Sequence, residues 1–467
     1  MPIRQAKRLD LLGGRRARLA RRPTIPRKVD PALTKLRIER LYWRAGFGAT
    51  PRDLKRLVPL GLPAAVDELL AQPRGEVLES GPTPTFDGKP LDPENAWSHD
   101  VLWWLDRAVR ARHQLVERMT LNLHDHFSTS NAKVGDVKLM MAQYRTIRHH
   151  SLGSFRDLAH AMVEDHAMQQ FLDLIGSNQQ SPNENFAREF FELFTLGVNN
   201  GYTETDIREA ARAFTGYTFN WESKQYGFDT ARHDRGVKKI FGKKGRFEPK
   251  DVIDLAIDHP AHAPYICAKL WGYFSPDPCP KDALKRMVTA YRGSKTQLRP
   301  VVRIILTHPA FYANLDAPNQ VKPPFVYAAG MLRKTGRKVD SDNWGWMLDE
   351  MGQRPFYPPN VSGWEQNDAW LATNTIRSRF QAAASLISKS IEDGDVPKTQ
   401  TPAQAVQDAL RATGDPWVSP KTRDALYAFA ARSVAGKDDE WEWKHYYAER
   451  QRVLRHVLLA GPDAQVS

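Results

Sequence analysis

The stretch Ser181–Phe219, SPNENFAREFFELFTLGVNNGYTETDIREAARAFTGYTF, decides the fold. Serine at an N-cap, Pro182 at the first helical position and Glu184 at N3 predict a helix opened by a capping box. Phe186, Phe190, Leu193 and Phe194 recur at i, i+4, i+7 and i+8, the spacing of one buried face. Glu184, Arg188 and Glu192 fall four apart on a polar face, with Asn185 and Glu189 as a second row. Gly197 stops the helix as a left-handed residue. Thr203 starts the next, with Asp206 at N3 and an apolar face of Ile207, Ala210, Ala211 and Phe214 that runs to Gly216. Two capped helices on a short Asn/Gly turn predict an αα-hairpin.

Outward from this hairpin the period stays mostly helical. Leu33, Leu36 and Leu41 begin a helix after Asp30-Pro31, and Thr50-Pro51-Arg52-Asp53 caps another. Helical spacing follows over 63–70, 94–127, 137–147, 155–175, 251–257, 264–273, 281–291, 298–306 and 323–335, with two or three more helices after Arg379. Residues 73–93, rich in Pro, Gly and acid, predict a surface loop. From Thr215 to Gly245 the period changes. Tyr217, Phe219, Trp221, Tyr226 and Phe228 alternate with polar residues, predicting short antiparallel strands that Lys238–Phe241 closes. The fold expected is mainly α, a large multi-helix orthogonal bundle with a small β insertion at 215–245. Residues 31–390 form the main domain, 391–467 add helices on the same domain, and 1–30 are a basic, disordered tail.

The hairpin sequence resembles the signature of the bacterial DUF1800 family, which is defined by its unknown function. YWRAGFGATPRDLKRL from Tyr42, RMTLNLHDHFSTS from Arg118, RHDRGVKKIFGKKG from Arg232 and PPNVSGW from Pro358 resemble its other blocks, in order, from about Lys35 to Phe380. The resemblance implies no particular reaction, cofactor or partner.

Composition excludes several classes. At 467 residues, 41% hydrophobic and 26% charged, the chain has ample material for a folded core. It has no apolar run long enough to span a bilayer. Of the net charge of +13, residues 1–28 carry +9 (ten Lys/Arg against Asp10), leaving +4 for the remaining 439 residues. The basicity therefore belongs to the tail, which reads as a solvated segment or as a contact for an anionic partner. No aromatic residue is interleaved there to stack bases. Arg15-Arg16 and Arg21-Arg22 are followed by no apolar h-region, so a cytoplasmic location is expected, although relatives are often exported. Cys267 and Cys279 allow at most one disulfide.

Four constellations carry chemistry. His124 and His126 flank Asp125 before a polar turn; both are metal-ligand types, but i and i+2 on a helix point about 200° apart, so the alternative is a helix end whose imidazoles cap carbonyls. Asn183, Glu184, Arg188, Glu189 and Glu192 present paired carboxylates for acid–base work or a divalent metal, or else an ion-pair ladder. His233 and Asp234, with Lys238, sit in a glycine-containing turn where catalytic side chains are often placed. Asn360 and Trp364 lie in a proline-stiffened loop, either a ligand wall or a loop pinned to the core. Nucleophile-elbow, zincin, P-loop and dinucleotide motifs are absent. Two functions follow. In the first, these blocks converge on one polar pocket of a metal-assisted hydrolase or transferase, with His233, Asp234, Glu184 and Glu189 catalytic. In the second, the chain is a non-catalytic helical binding or assembly protein.

Overall fold

The computed structural model describes residues 30–71, 78, 85–86, 89–220, 222–223, 225–388 and 390–467. The tail 1–28, Trp221 and most of the 73–93 loop lie outside the described residues. The architecture is mainly α. Seven helices matter below: α1 (Pro31–Arg44), α2 (Gln114–His126), α3 (Glu184–Glu189), α4 (Glu204–Ala213), α5 (His262–Phe274), α6 (Pro324–Thr335) and α7 (Glu440–Ala460).

Local chemistry explains their ends. The Asp30 carboxylate accepts the Ala32 N–H at 2.9 Å and Pro31 occupies the first turn of α1. Thr203 and Asp206 close the expected capping box on α4. The start of α3 differs from expectation. Ser181 is held in a bridge with Asn178, so the chain turns helical two residues later. Asn183 is the cap, its side chain accepting the Asn185 N–H at 2.9 Å, and Glu184 is the first helical residue instead of N3.

The second difference lies one turn on. From Phe190 to Thr195 the helix widens into a π turn, with Leu196 N–H donating to Phe191 O at 2.8 Å. A face spaced for 3.6 residues per turn cannot hold through that widening. Phe186, Phe190 and Phe194 stay buried, but Phe191 joins them in the core while Leu193 is only half-buried.

The β insertion is two antiparallel hairpins. Tyr217–Asn220 pairs with Gln225–Phe228, and Lys238–Ile240 pairs with Lys243–Gly245. Phe241 and Gly242, both at positive φ, form the two-residue turn of the second. The bulky Phe241 is held there because its N–H donates to Asp206 Oδ1 at 2.8 Å and its ring packs 5.0 Å from Phe191.

Every residue of α2 is buried, which makes it the axis of the molecule. Around it one large core gathers side chains from α1 through α6, with Trp104 packed between Tyr144, Phe325 and Phe356. The last helices form a smaller core around Val406, Leu426 and Leu454. They meet the main core where Tyr327 Oη donates to Leu459 O at 2.8 Å and Arg379 Nη1 donates to Gln465 Oε1 at 3.0 Å. Cys267 and Cys279 are free thiols. No helix among the described residues is long and apolar enough to cross a membrane.

Capping separates the two candidate N-termini of α3. Asn183→Ala is expected to cost about 1 kcal/mol in urea unfolding, whereas Ser181→Ala changes stability by less than about 0.5 kcal/mol. Equal losses at both positions contradict this cap.

Candidate functional site

The end of α2 is where two of the sequence blocks meet. The Phe356 N–H donates to His124 Nε2 at 3.1 Å, and the Trp364 N–H donates to Asp125 Oδ1 at 2.8 Å. Ser128 Oγ donates to Asn360 O at 2.8 Å. Gly363, at φ +88°, lies so close that a Cβ there would stand 2.3 Å from Asp125 Oδ1. The Trp364 ring is 5.6 Å from that of His124. The loop is thus pinned onto the helix end. His126, on the other side, donates from Nε2 to Phe194 O at 3.1 Å in the π turn. The two imidazoles face different elements, as their i, i+2 spacing requires. Among the described residues no group of three or more His, Cys, Asp or Glu side chains is placed to hold a metal ion.

Burial dominates the electrostatics here. It drives the His124 imidazole down to about 3 and His126 well below its ordinary value, so both are neutral. Burial also raises the Asp125 carboxyl to about 6, against the Trp364 N–H and the Lys269 charge. Lys269 of α5 is lowered to about 8 by burial, against the pull of Asp125.

The polar face of α3 is elsewhere and is a ladder of ion pairs. Arg188 reaches Glu184 at 3.2 Å, Glu192 at 3.5 Å and, through both terminal nitrogens, Glu204 of α4 at 2.8 Å. The Glu184 side chain is 41% exposed and that of Glu204 is 65% exposed. Glu189 is half-buried, its carboxyl raised by burial and by Glu192. Asn183 is spent as the helix cap.

His233, Asp234 and Lys238 sit at the far end of α4. His233 Nδ1 donates to Thr215 O at 2.8 Å. Asp234 accepts from Arg212 Nε at 2.7 Å and from the Gly236 N–H at 2.8 Å. Burial is the largest influence and opposes its charge, but the Arg212 and Gly236 hydrogen bonds and the charges of Arg212 and Lys238 together outweigh it and hold the carboxyl below its ordinary value. Lys238 Nζ is buried and donates to the carbonyls of Asp234 and Gly236. Glu204 and Arg212 are eight residues apart on α4, roughly 12 Å along the axis at 1.5 Å per residue. The structure therefore joins His124, His126, Asn360 and Trp364 at one junction and leaves Glu184, Arg188 and Glu192 on a second surface. His233, Asp234 and Lys238 form a third group.

A cavity of about 80 Å³ opens between α1, α6 and the C-terminal helices, among residues that composition and motifs do not single out. Glu39, Trp43, Lys322 and Lys334 line it, with Leu36, Met331 and Trp417 among its apolar residues. Glu39, Lys322 and Lys334 are buried, and Arg40 and Asp463 also line the opening. The Lys322 ammonium lies 4.1 Å from the Trp43 ring centre and donates to Ala464 O at 2.6 Å; the Lys334 ammonium lies 5.7 Å from the same ring. Glu39 Oε1 is buried and accepts no hydrogen bond among the described residues. Burial raises the Glu39 carboxyl and lowers both lysines, Lys322 well below its ordinary value. The one sequence signal for this site is Trp43 inside the 42–57 block; Lys322 and Lys334 are ordinary in their local pattern.

A family model described as "Protein of unknown function (DUF1800)" matches residues 40–466. No curated protein and no solved structure matches the chain.

The raised Asp125 carboxyl binds its proton more tightly folded than unfolded, so its contribution is fully present below about pH 4 and is lost as pH rises through 6. Denaturant unfolding at several pH values is expected to show wild type losing roughly 2–3 kcal/mol relative to Asp125→Asn between pH 4 and 7. A constant difference between the two proteins contradicts the burial of this carboxyl.

Proposed function

The chain belongs to the DUF1800 family, and within it we propose that this protein is a non-catalytic helical protein that binds a small carboxylate-bearing ligand in the Trp43 cavity. One observation carries the reading: two ammonium groups and an unpartnered carboxylate oxygen, all buried, line the same small opening. Taking charges out of water costs several kcal/mol per ion, and these three form no ion pair with one another within 4 Å that repays it. A ligand that pairs with them does.

Size narrows the class. The cavity, about 80 Å³, is small but has room for a carboxylate group. The carboxylate meets Lys334 and Lys322, and an α-amino or α-hydroxy group donates to Glu39 Oε1. The rest of the ligand lies in the mouth against Leu36, Met331 and Trp417. The small α-amino and α-hydroxy carboxylates fit this description.

The metal-assisted reading draws less support. Glu184 and Glu192 are engaged by Arg188, and Asp234 by Arg212, which leaves each of these three held in an ion pair.

Titration calorimetry with glycine, glycolate, acetate and inorganic phosphate tests the proposal. Saturable binding of glycine or glycolate, weakened at least tenfold by Lys334→Met and unchanged by Glu184→Gln, is the expected result. Since both lysines are lowered by burial, carboxylate binding draws a proton onto the site, and affinity falls as pH rises. Affinity that ignores both Lys334→Met and Lys322→Met overturns the assignment, as does the lack of binding by any of the four.

A further inference from the structure

Adjacent residues on α2 make a sharp contrast. Glu117 is fully compensated, with Arg148 Nε at 2.7 Å, Arg107 Nη2 at 3.3 Å and the Tyr144 hydroxyl at 2.7 Å. Arg118, next in the chain and 2% exposed, has no carboxylate within 4 Å among the described residues, and its Nε and Nη1 meet no acceptor there. A guanidinium cannot shed its charge in a protein, so burial does not neutralise it as it does a histidine. An isolated buried charge is costly enough that proteins pair it with an opposite one.

The surroundings supply more donors than acceptors. Asn122 stands one turn on from Arg118, on the same face of α2, and its Nδ2 is also buried without a partner. Asp125, the next residue on that face, is the one negative charge among the described residues that acts on Arg118, and Trp364 N–H already occupies one of its oxygens. From α5, Lys269 adds a second positive charge, and the buried Tyr273 hydroxyl faces Asp125 as a further donor. Two cations thus share one carboxylate inside the core.

We propose that the Arg118–Asn122 face of α2 is a buried site for a small monovalent anion. The anion accepts from Arg118 Nε and Nη1 and from Asn122 Nδ2, and supplies the negative charge that Asp125 alone does not. The site is separate from the Trp43 cavity and stands or falls independently of it.

Denaturant unfolding of the full chain in sodium chloride, bromide, formate and gluconate at constant ionic strength tests this, together with bromide anomalous scattering from a soaked crystal. A midpoint that rises saturably with chloride, bromide or formate but not with the bulky gluconate is expected. A bromide peak beside Arg118 and loss of the anion dependence in Arg118→Met complete the expected result. Should Arg118→Met fail to fold, Asn122→Ala retains the guanidinium, and a rightward shift of its chloride saturation curve is then the supporting outcome. The inference is overturned by a midpoint indifferent to anion identity. It is equally overturned by bromide found only at the surface, or by a chloride dependence unchanged in Asn122→Ala.

Discussion

The constraint on which the rest of the structure depends is the buried end of α3. A helix terminus leaves its last carbonyls without partners, and in a core each unpaired group costs about 1–3 kcal/mol. The π turn worsens this by handing Leu196 N–H to Phe191 O, leaving the next carbonyls to side chains. Tyr265 Oη donates to Leu193 O at 2.8 Å, His126 Nε2 to Phe194 O at 3.1 Å and His262 Nδ1 to Thr195 O at 2.8 Å. His262 Nε2 then accepts from the Tyr291 hydroxyl at 2.9 Å. Three helical segments are therefore tied to one turn, and the carbonyls dictate which nitrogen of each imidazole carries the proton. Burial lowers His262 to about 4, which keeps that imidazole neutral and the tie intact at neutral pH.

This explains what was legible in the sequence and what was not. Caps and periods are local, so α4, its capping box and the change to strands after Thr215 could be read from neighbours in the chain. The Asn183 cap could not, because it depends on the Asn178–Ser181 bridge. The π turn could not either, since the Phe190–Thr195 residues suit an ordinary helix and only their partners on α2 and α5 reward the wider turn. Motif density misled in a related way. His124, His126, Asn360 and Trp364 do come together, yet each has a partner that a buried helix end or a pinned loop requires. Glu184, Arg188 and Glu192 satisfy one another through Glu204, a residue in a different helix.

The residues most exposed to physical tension had almost no sequence signal. Arg118 sits in a block read for its histidines, and its position differs from that of Glu117 by one helical step of about 100°. That step places one charge among three partners and the other among none within ion-pair distance. Glu39, Lys322 and Lys334 come from two helices and a loop nearly three hundred residues apart in the chain, so no window of sequence contains them. A charge balance is a property of a volume, and only the fold defines the volume.

Polar density along a chain and polar need in space are thus different quantities, and function follows the second. Where side chains are mutually satisfied, as on α3 and at Asp234, a ligand must break existing bonds before it makes new ones, and the exchange is close to neutral. Where buried groups stay unpaired, the cost of their burial has already been met by folding, and a ligand that pairs with them recovers it as affinity. Glu39, and Arg118 with Asn122, are such places, one open to solvent and one enclosed. The hydrogen bonds around His124, His126 and Trp364 hold the scaffold that keeps both unpaired groups in place.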